Sequence, residues 1–310
     1  MTILYTHPSS LAHTTPSGHP ERIARIEAIT RRLSRKAFDP LDRRDAPLCT
    51  DSDILLAHPL THLAAMRAAA PAEGFRAIDP DTHMSPGTLT AALHAVGANV
   101  AAVDAVLAGE AKNAFVAMRP PGHHAERTRA MGFCFFGNVA IAAKHALDRH
   151  GLSRVAIVDF DVHHGNGTQD LVWDDARIGF ASTHQMPLYP GSGAAHEKGA
   201  HGTILNVPLD PGVGGAVFRQ KMTAEILPHL AAHAPELVLI SAGFDAHADD
   251  PLANLNLVED DFAWATRQIC DFADEFAQGR VVSTLEGGYD LDALAASVAA
   301  HVGVLMERSG

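Results

Sequence analysis

Short apolar runs alternate with longer segments of helical periodicity along most of this chain. Strands are predicted at residues 114–118, 154–160, 177–182, 237–241 and 281–285. Helices are predicted at residues 86–109, 136–149, 215–230, 259–277 and 291–306. Such alternation is typical of a mostly parallel sheet with helices on both faces. The pattern therefore predicts an α/β fold.

Two loops interrupt the alternation. An irregular loop at residues 18–22 precedes a helix in which Ile23, Ile26 and Ile29 recur on one face. The second loop, residues 183–201, is long and contains several prolines and glycines. Because long connections without secondary structure are often functional, we expect this loop to contribute to a site.

The length of 310 residues would permit two domains. We predict a single domain over residues 1–310, because the polar motifs between residues 123 and 289 must converge to act together. The composition, 47% hydrophobic and 19% charged, is typical of a soluble globular enzyme.

Composition and charge also restrict location and partners. We see no run near the roughly 20 apolar residues of a membrane span and no secretory signal pattern, so we expect no membrane association. Three cysteines without C-x-x-C spacing suit a reducing compartment, and a cytoplasmic location is expected. A net charge of −12 disfavours nucleic acid as a partner and tolerates a cationic substrate.

Polar residues follow directly after four of the predicted strands. Asp161 and His163 lie two apart at one strand end, and Asp245 lies at another. Because ligands of α/β sheets bind beyond the carboxyl ends of the strands, these residues predict a divalent-metal site with one open position. The competing interpretation, that the aspartates cap helices, leaves His163 unexplained. Carboxylates also suit ions other than zinc, so the residues alone leave the metal open.

His123 and His124 occupy a turn bounded by proline and glycine. We interpret one as a base and the other as electrostatic support, with Asp159 and Asn166 as candidates that orient them. Tyr289 follows two glycines and is a candidate donor to a developing oxyanion. The alternatives are two ordinary loop histidines and a buried structural tyrosine.

Six segments carry a resemblance to a known family. They are HPERIARIEAI, MRPPGHHAERTRAMGFCFFGNVAIAA, VDFDVHHGNGTQD, HQMPLYPGSG, SAGFDAHADDPL and LEGGYD. Together they resemble the histone deacetylase superfamily, most closely its class II branch, which includes bacterial deacetylase-like amidohydrolases and acetylpolyamine amidohydrolases. The resemblance covers most of the chain. It implies an arginase/deacetylase-like fold with the active site at the C-terminal ends of the strands.

The resemblance implies two metal ions. Zinc would be held by Asp161, His163 and Asp245. A monovalent cation, usually potassium in this family, would lie at positions matching Asp159, Asp161, His163, Ser182 and Thr183. The binuclear pattern of arginase needs an aspartate where this chain has Gly165, so a second bridging metal lacks a ligand.

The resemblance also implies catalytic roles. His124 would be the general base and acid, held by Asn166, and His123 would be paired with Asp159. Tyr289 would polarise the substrate carbonyl beside the metal.

Substrate-contacting residues follow from the same resemblance. Gly132, Phe133 and Tyr189 match residues that line the acyl-lysine tunnel, and Arg22 matches an arginine beside an internal product channel. Leu252 stands where polyamine-selective relatives place an acidic residue. An apolar rim there favours an acylated lysine or a neutral amide over a polycation.

The predicted activity is zinc-dependent hydrolysis of an N-acyl amine, with an acetylated lysine in a peptide or protein as the expected substrate. Alternatives are a hydrolase of acetylpolyamines or other small acetylated amines, and an inactive deacetylase-like binding protein. The filled ligand, histidine and tyrosine positions disfavour inactivity. The missing G-x-S-x-G elbow disfavours a serine hydrolase. Assembly as a homo-oligomer stays open.

Overall fold

The computed structural model of this chain describes residues 1–309 and is built around one large β-sheet. The strands are β1 Thr2–Thr6, β2 Asp42–Asp45, β3 Arg76–Ala77, β4 His83–Met84, β5 Asn113–Val116, β6 Val155–Asp159, β7 Ile178–Gln185, β8 Ile204–Leu209, β9 Val238–Ala242 and β10 Val281–Leu285. Eight of them pair in the order β2-β1-β5-β10-β9-β6-β7-β8, with parallel neighbours throughout. β3 and β4 form a separate antiparallel pair.

Helices cover both faces of this sheet. They are α1 Ser9–Ala12, α2 Ile23–Leu33, α3 Asp51–Ile54, α4 Leu60–Ala69, α5 Thr88–Leu107, α6 Asn138–His150, α7 Asn166–Val172, α8 Gly215–Lys221, α9 Leu227–His233, α10 Glu259–Phe276 and α11 Leu291–Glu307. A π-helical turn joins α8 to α9. Helices α5 and α6 pack on one face, and α2, α10 and α11 pack on the other.

The central strands supply both hydrophobic cores, because consecutive side chains of a strand point to opposite faces. In β1, Ile3 and Tyr5 belong to the core under α5 and α6, whereas Leu4 belongs to the core under α2, α10 and α11. In β5, Val116 and Phe115 divide in the same way. Burial on both faces explains why these strands are continuously apolar in the sequence.

The α/β alternation predicted from the sequence is confirmed. The structure adds β1, β2 and β8 to the predicted strands of the large sheet, and it adds the separate pair of β3 and β4. The sequence of β2, DRRD, has no apolar pattern because this strand lies at the edge of the sheet. The helix predicted over residues 215–230 is divided by the π-helical turn. The loop predicted to begin at residue 183 begins later, because β7 continues to Gln185 in register with β8.

Helix α5 departs from the expectation that no segment approaches a membrane span. Its 20 residues are long and apolar enough to cross a membrane, with a hydropathy of 1.4 over the most apolar window. However, 67% of that window is buried within the protein. Packing against α6 and the sheet therefore accounts for the apolar composition of α5.

Candidate active site

The polar motifs follow β5, β10, β9 and β6, which are adjacent in the sheet. Because these strands are parallel, their carboxyl ends lie at one edge and bring the motifs together. Glycines permit the close approach of the loops. A Cβ on Gly243 would lie 2.0 Å from Asp161 Oδ2, and a Cβ on Gly287 would lie 2.0 Å from Asp245 Oδ2.

The structure brings together the three predicted metal ligands. Ligand atoms of Asp161, His163 and Asp245 all lie within 4.8 Å of one another. His163 Nδ1 is 3.2 Å from Asp161 Oδ1 and 3.1 Å from Asp245 Oδ2. The other oxygens of the two aspartates accept hydrogen bonds from the N–H groups of Gly287 and Val162, so neither aspartate caps a helix.

These donors fit a divalent cation. Burial lowers the pKa of His163, but hydrogen bonds to Asp161 and Asp245 outweigh burial and raise it to about 10. Burial raises the pKa of Asp245, and repulsion from Asp161 raises it further. Without a metal, a proton on His163 therefore offsets the negative charge of Asp161 and Asp245. A bound cation would offset the same charge. One imidazole nitrogen with two carboxylates is a donor set that zinc accepts.

The two adjacent histidines have the partners that the resemblance implies. His123 Nδ1 lies 3.1 Å from Asp159 Oδ2, and His124 Nδ1 lies 2.7 Å from Asn166 Oδ1. An amide oxygen only accepts hydrogen bonds, so His124 donates through Nδ1 when neutral. The lone pair on Nε2 of His124 then remains available to take a proton.

The surroundings of the two histidines separate their charges. Burial opposes charge on both rings, but Asp161 and Asp159 hold the pKa of His123 well above its usual value. Burial and the neighbouring rings of His123 and His163 hold the pKa of His124 well below its usual value. These surroundings favour the charged form of His123 and the neutral form of His124. Divergent pKa values of this kind are typical of an acid–base pair with divided roles.

Glu126 is a contributor that the sequence motifs did not reveal. Its Oε1 accepts a hydrogen bond of 2.7 Å from Asn166 Nδ2. This bond determines which end of the Asn166 amide faces His124, and therefore which tautomer of His124 is favoured. The available signal was an acid two residues beyond His124 in the same segment.

Arg25, and not Arg22, is the arginine that contacts residues 286–289, the segment after β10 that is called the tyrosine loop below. Arg25 is fully buried, donates from Nε to the Gly288 carbonyl at 2.6 Å, and also donates to the Glu286 carbonyl. Its guanidinium lies 4.9 Å from the centroid of the Tyr289 ring. Arg22 is exposed just before α2, so the role implied for it is wrong. Only a residue on the inner face of α2 reaches the sheet edge.

Two buried acids that the sequence did not identify hold the backbone of the site. Asp250 Oδ2 accepts the N–H of Tyr289 at 2.7 Å, and burial raises the pKa of Asp250 to about 7. Glu286 Oε2 accepts the N–H groups of Gly122 and His123, at 2.7 and 3.2 Å. The first bond connects the tyrosine loop to the loop that follows β9. The other two connect the histidine loop, residues 120–124, to the end of β10.

Tyr289 keeps its proton at neutral pH. It is 8% exposed, and burial raises its pKa well above 10 even though Arg25 opposes that shift. The preceding Gly288 has a φ of 118°, a conformation that favours glycine. The loop therefore presents a protonated phenol beside the metal ligands.

A narrow cavity of about 230 Å³ reaches these groups. It is lined by Asp81, His124, Gly132, Phe133, His163, Leu188, Tyr189, Leu252 and Tyr289. All four residues predicted to line the tunnel are present, whereas Asp81 and Leu188 were not anticipated. The Tyr189 ring stands edge-on to His124, with 5.2 Å between centroids.

The two acids that follow the metal-ligand segment do not line this cavity. The Asp249 side chain is 75% exposed, and Asp250 is buried against the tyrosine loop. Leu252, 36% exposed, forms part of the wall, and its N–H donates to Asp250 Oδ1. The rim at this position is therefore apolar.

The predicted potassium positions lie at the ends of two neighbouring strands. Asp159 and Ser182 are register partners in β6 and β7, and Thr183 follows directly. All five predicted residues are buried. Ser182 Oγ lies 2.9 Å from His184 Nδ1. The presence of potassium stays a prediction.

Gly165 occupies the position of the additional aspartate in a binuclear site. A Cβ on this residue would lie 2.3 Å from Asp159 Oδ2. An aspartate here would require Asp159 to move, because real Cβ contacts are not this short. The packing thus supports the expectation of a single divalent metal at these strand ends.

Replacing Gly132 by alanine is expected to lower kcat by tenfold to roughly 10²-fold, the loss that a misplacement of about 1 Å can cause. The new Cβ would lie 2.4 Å from His124 Cδ2, and Gly132 has a φ of 56°. The matched control is Gly212→Ala, because Gly212 has a φ of 89° and no atom lies within 4 Å of the position that its new Cβ would take. Equal losses of kcat in both variants would assign the effect to backbone strain and contradict the contact with His124.

A buried ion network supports the arginine behind the tyrosine loop. Glu21 is fully buried and accepts hydrogen bonds from Arg119, whose Nη2 lies 2.6 Å from Oε2. Arg25 Nη1 lies 3.1 Å from Oε1 of the same carboxylate, and His13 Nε2 lies 3.2 Å from Oε2. One carboxylate therefore compensates two buried guanidinium groups.

Replacing Glu21 by glutamine is expected to destabilise the fold by about 3–5 kcal/mol, because Arg25 and Arg119 lose their compensating charge. Burial alone raises the pKa of Glu21, but Arg119 and His13 outweigh burial and hold this pKa well below its usual value. A depressed acid pKa stabilises the fold above the unfolded pKa, and this contribution is lost as the pH falls. In urea unfolding, the difference from wild type should be full at pH 7 and shrink below about pH 4.5.

Glu27→Gln provides the control for this experiment, since Glu27 lies exposed on α2. It should change the unfolding free energy by less than about 0.5 kcal/mol. A similar loss in both variants, or a loss for Glu21→Gln that does not vary with pH, would contradict the buried ion network.

The fold and the site together define the class of protein. A parallel eight-stranded α/β sheet, with carboxylates and histidines gathered at the carboxyl ends of its central strands, is the arginase/deacetylase fold. The histone deacetylase domain model matches residues 19–305, and the chain belongs to the histone deacetylase family.

Individual relatives agree with this assignment. The chain is 43% identical over 253 residues to a histone deacetylase-like amidohydrolase of Pseudomonas aeruginosa, covering 80% of this chain and 66% of the relative. It is 36% identical over 292 residues to a probable deacetylase of Archaeoglobus fulgidus, covering 92% and 80%. The crystal structure of the HDA15 HD domain superposes with a TM-score of 0.94 at 33% identity, covering 99% and 88%. The protein is thus a deacetylase-type hydrolase acting on amides.

Proposed function

We propose that this protein is a zinc-dependent hydrolase that removes acetyl groups from lysine-like amines in peptides or proteins. The observation that carries the proposal is that His124, whose ring is held by Asn166, lines one narrow cavity together with His163 and Tyr289. The proposed base His124, the proposed metal ligand His163 and the Tyr289 phenol line one space of about 230 Å³.

Zinc would be held by Asp161, His163 and Asp245, and when bound it would polarise the acyl carbonyl and make water more acidic. Potassium would lie beside it, at the ends of β6 and β7. Its positive charge would offset part of the repulsion between the buried acids at these strand ends.

The residues of the chain then perform the proton transfers. His124 takes a proton from the attacking water through Nε2, while Asn166 holds Nδ1. Tyr289 donates a hydrogen bond to the carbonyl oxygen as it gains negative charge. His124 passes the proton to the amine nitrogen as the C–N bond breaks, which releases acetate and the free amine. His123 stays hydrogen-bonded to Asp159 beside these groups, and the buried carboxylates of Asp161 and Asp159 favour its charged form.

The cavity walls support an acylated lysine chain as the substrate. Phe133, Tyr189 and Leu252 offer ring and methyl surfaces along which the methylene groups of such a chain would be desolvated. One observation favours the second candidate, an acetylpolyamine. Asp81 adds a carboxylate to the wall that would attract a protonated amine.

A substrate panel tests the proposal. We expect kcat/KM for an acetyl-lysine peptide to exceed the values for acetylputrescine and for a simple acetanilide. Leu252→Glu should shift the ratio toward acetylputrescine by roughly tenfold, because a rim carboxylate attracts the second amine at a cost to neutral substrates. Leu60→Glu is the matched control, since Leu60 is 62% exposed and lies outside the cavity.

The outcomes separate the candidates. A preference of the wild type for acetylputrescine would favour the polyamine hydrolase. Absence of turnover on all three substrates by zinc-loaded protein would contradict the proposed function.

A further inference from the structure

A second group of metal-binding side chains lies far from the active site. Asp104 is on α5, and His145 and His150 are on α6. Helix α6 begins beside the histidine loop, where Asn138 Nδ2 donates to the Pro120 carbonyl. At about 1.5 Å per residue, its last residue lies roughly 18 Å from that edge. The group is therefore at the opposite end of the sheet from the candidate active site.

The three side chains converge on one point. His145 Nε2 is 2.7 Å and His150 Nε2 is 2.6 Å from the same oxygen, Asp104 Oδ1. One ligand atom from each residue lies within 4.8 Å of the other two, the same limit that the Asp161, His163 and Asp245 group satisfies. We propose that Asp104, His145 and His150 form a second divalent-metal site, suited to Zn²⁺, that joins α5 to α6.

The donor chemistry and the spacing favour this ion. Imidazole suits zinc, and a carboxylate can complete three protein ligands while water fills the fourth position. Ligand distances of about 2.0–2.2 Å in a tetrahedron place neighbouring ligand atoms roughly 3.3–3.5 Å apart. The two histidine nitrogens therefore need to move less than about 1 Å from Asp104 to admit an ion.

Solvent exposure and charge also favour a divalent ion at this site. The side chains of Asp104 and His150 are 51% and 31% exposed, so an ion and its remaining water reach the site from solvent. His145 is 9% exposed and provides a fixed ligand. His150 is the last residue of α6, and positive charge is favourable at a helix C-terminus. A bound dication would thus compensate both Asp104 and the helix end.

Counting metal tests the site without using activity. Holoenzyme equilibrated with ZnCl₂ and freed of unbound metal should carry one zinc more in wild type than in His150→Ala or Asp104→Asn. His150→Ala should weaken binding at this site at least roughly tenfold, because even outer partners of metal ligands contribute 10–100-fold. When the active-site zinc is already bound, further zinc should raise the Tm of the wild type and not that of His150→Ala. His196→Ala, which removes an exposed histidine elsewhere, should behave as wild type.

The outcomes keep this site separate from the proposed function. The additional zinc should persist in Asp245→Asn, and His150→Ala should keep amide hydrolysis within about twofold of wild type, because His150 is remote from the cavity. Equal zinc content in wild type, His150→Ala and Asp104→Asn would overturn the second site. An equal reduction of zinc content in His196→Ala would also overturn it, because binding would then reflect scattered surface histidines.

Discussion

Replacing Asp245 by asparagine is expected to remove both the catalytic metal and amide hydrolysis. The side chain is fully buried, and its Oδ1 accepts the Val162 N–H at 2.9 Å, a bond that asparagine retains through its own oxygen. The loss should therefore be of charge and metal rather than of shape. We expect kcat/KM to fall by about 10³-fold or more, because a Lewis-acid metal contributes several kcal/mol and each ~1.4 kcal/mol is tenfold in rate.

Asp249→Asn is the matched control for this experiment. Asp249 lies four residues further along the same loop, and its side chain is 75% exposed. The control should keep wild-type metal content and turnover, whereas Asp245→Asn should contain one divalent ion less. Wild-type turnover by metal-depleted Asp245→Asn would show that Asp161, His163 and Asp245 do not hold the catalytic metal.

Replacing Tyr289 by phenylalanine is expected to lower kcat by about 10²–10³-fold with little change in KM, as observed when one oxyanion donor is removed. Burial raises the pKa of Tyr289 well above 10, so the wild-type phenol is a donor throughout the neutral range. The variant should therefore be impaired equally between pH 6 and pH 9. Steady-state kinetics on an acetyl-lysine peptide across this range provides the measurement.

Tyr5→Phe is the control, because Tyr5 is a buried tyrosine outside the cavity whose hydroxyl donates to the Ala101 carbonyl. It removes a phenol of the same size and should affect stability without changing kcat. If Tyr289→Phe instead lost stability and kept its turnover, Tyr289 would be a structural residue. The mechanism would then need another donor for the oxyanion.

The central part of the fold was predictable from the sequence because its strands are buried on both faces. A segment such as residues 237–241 is apolar at every position but the last, and this pattern persists whatever lies beside it. Strand β2 was not predictable, because DRRD becomes a strand only through parallel pairing with β1 at the sheet edge. The limits of β7 were misjudged for a similar reason, since its last residues are held by β8.

The candidate site likewise contains features that the sequence predicts and contacts that it does not. Asp161, His163 and His124 are short-range features, since strand ends and adjacent histidines are visible within single motifs. The supporting contacts are long-range. Arg25 donates to the Gly288 carbonyl across 263 positions of sequence, whereas the resemblance implies Arg22, three residues earlier. The rotation of α2 about its axis places Arg25 on the face toward the sheet edge and leaves Arg22 exposed. This rotation is set only when α2 packs on the sheet.

The sequence by itself determined the α/β alternation, the family and which candidate metal ligands follow the strand ends, because these depend on local apolar runs and contiguous motifs. Only the tertiary structure decided which tautomer His124 adopts, which arginine stands behind Tyr289, and that Asp104 meets two histidines of another helix. Each of these depends on side chains distant in the sequence whose contacts arise only when the strands and helices pack. Packing also sets the burial that separates the pKa values of His123 and His124.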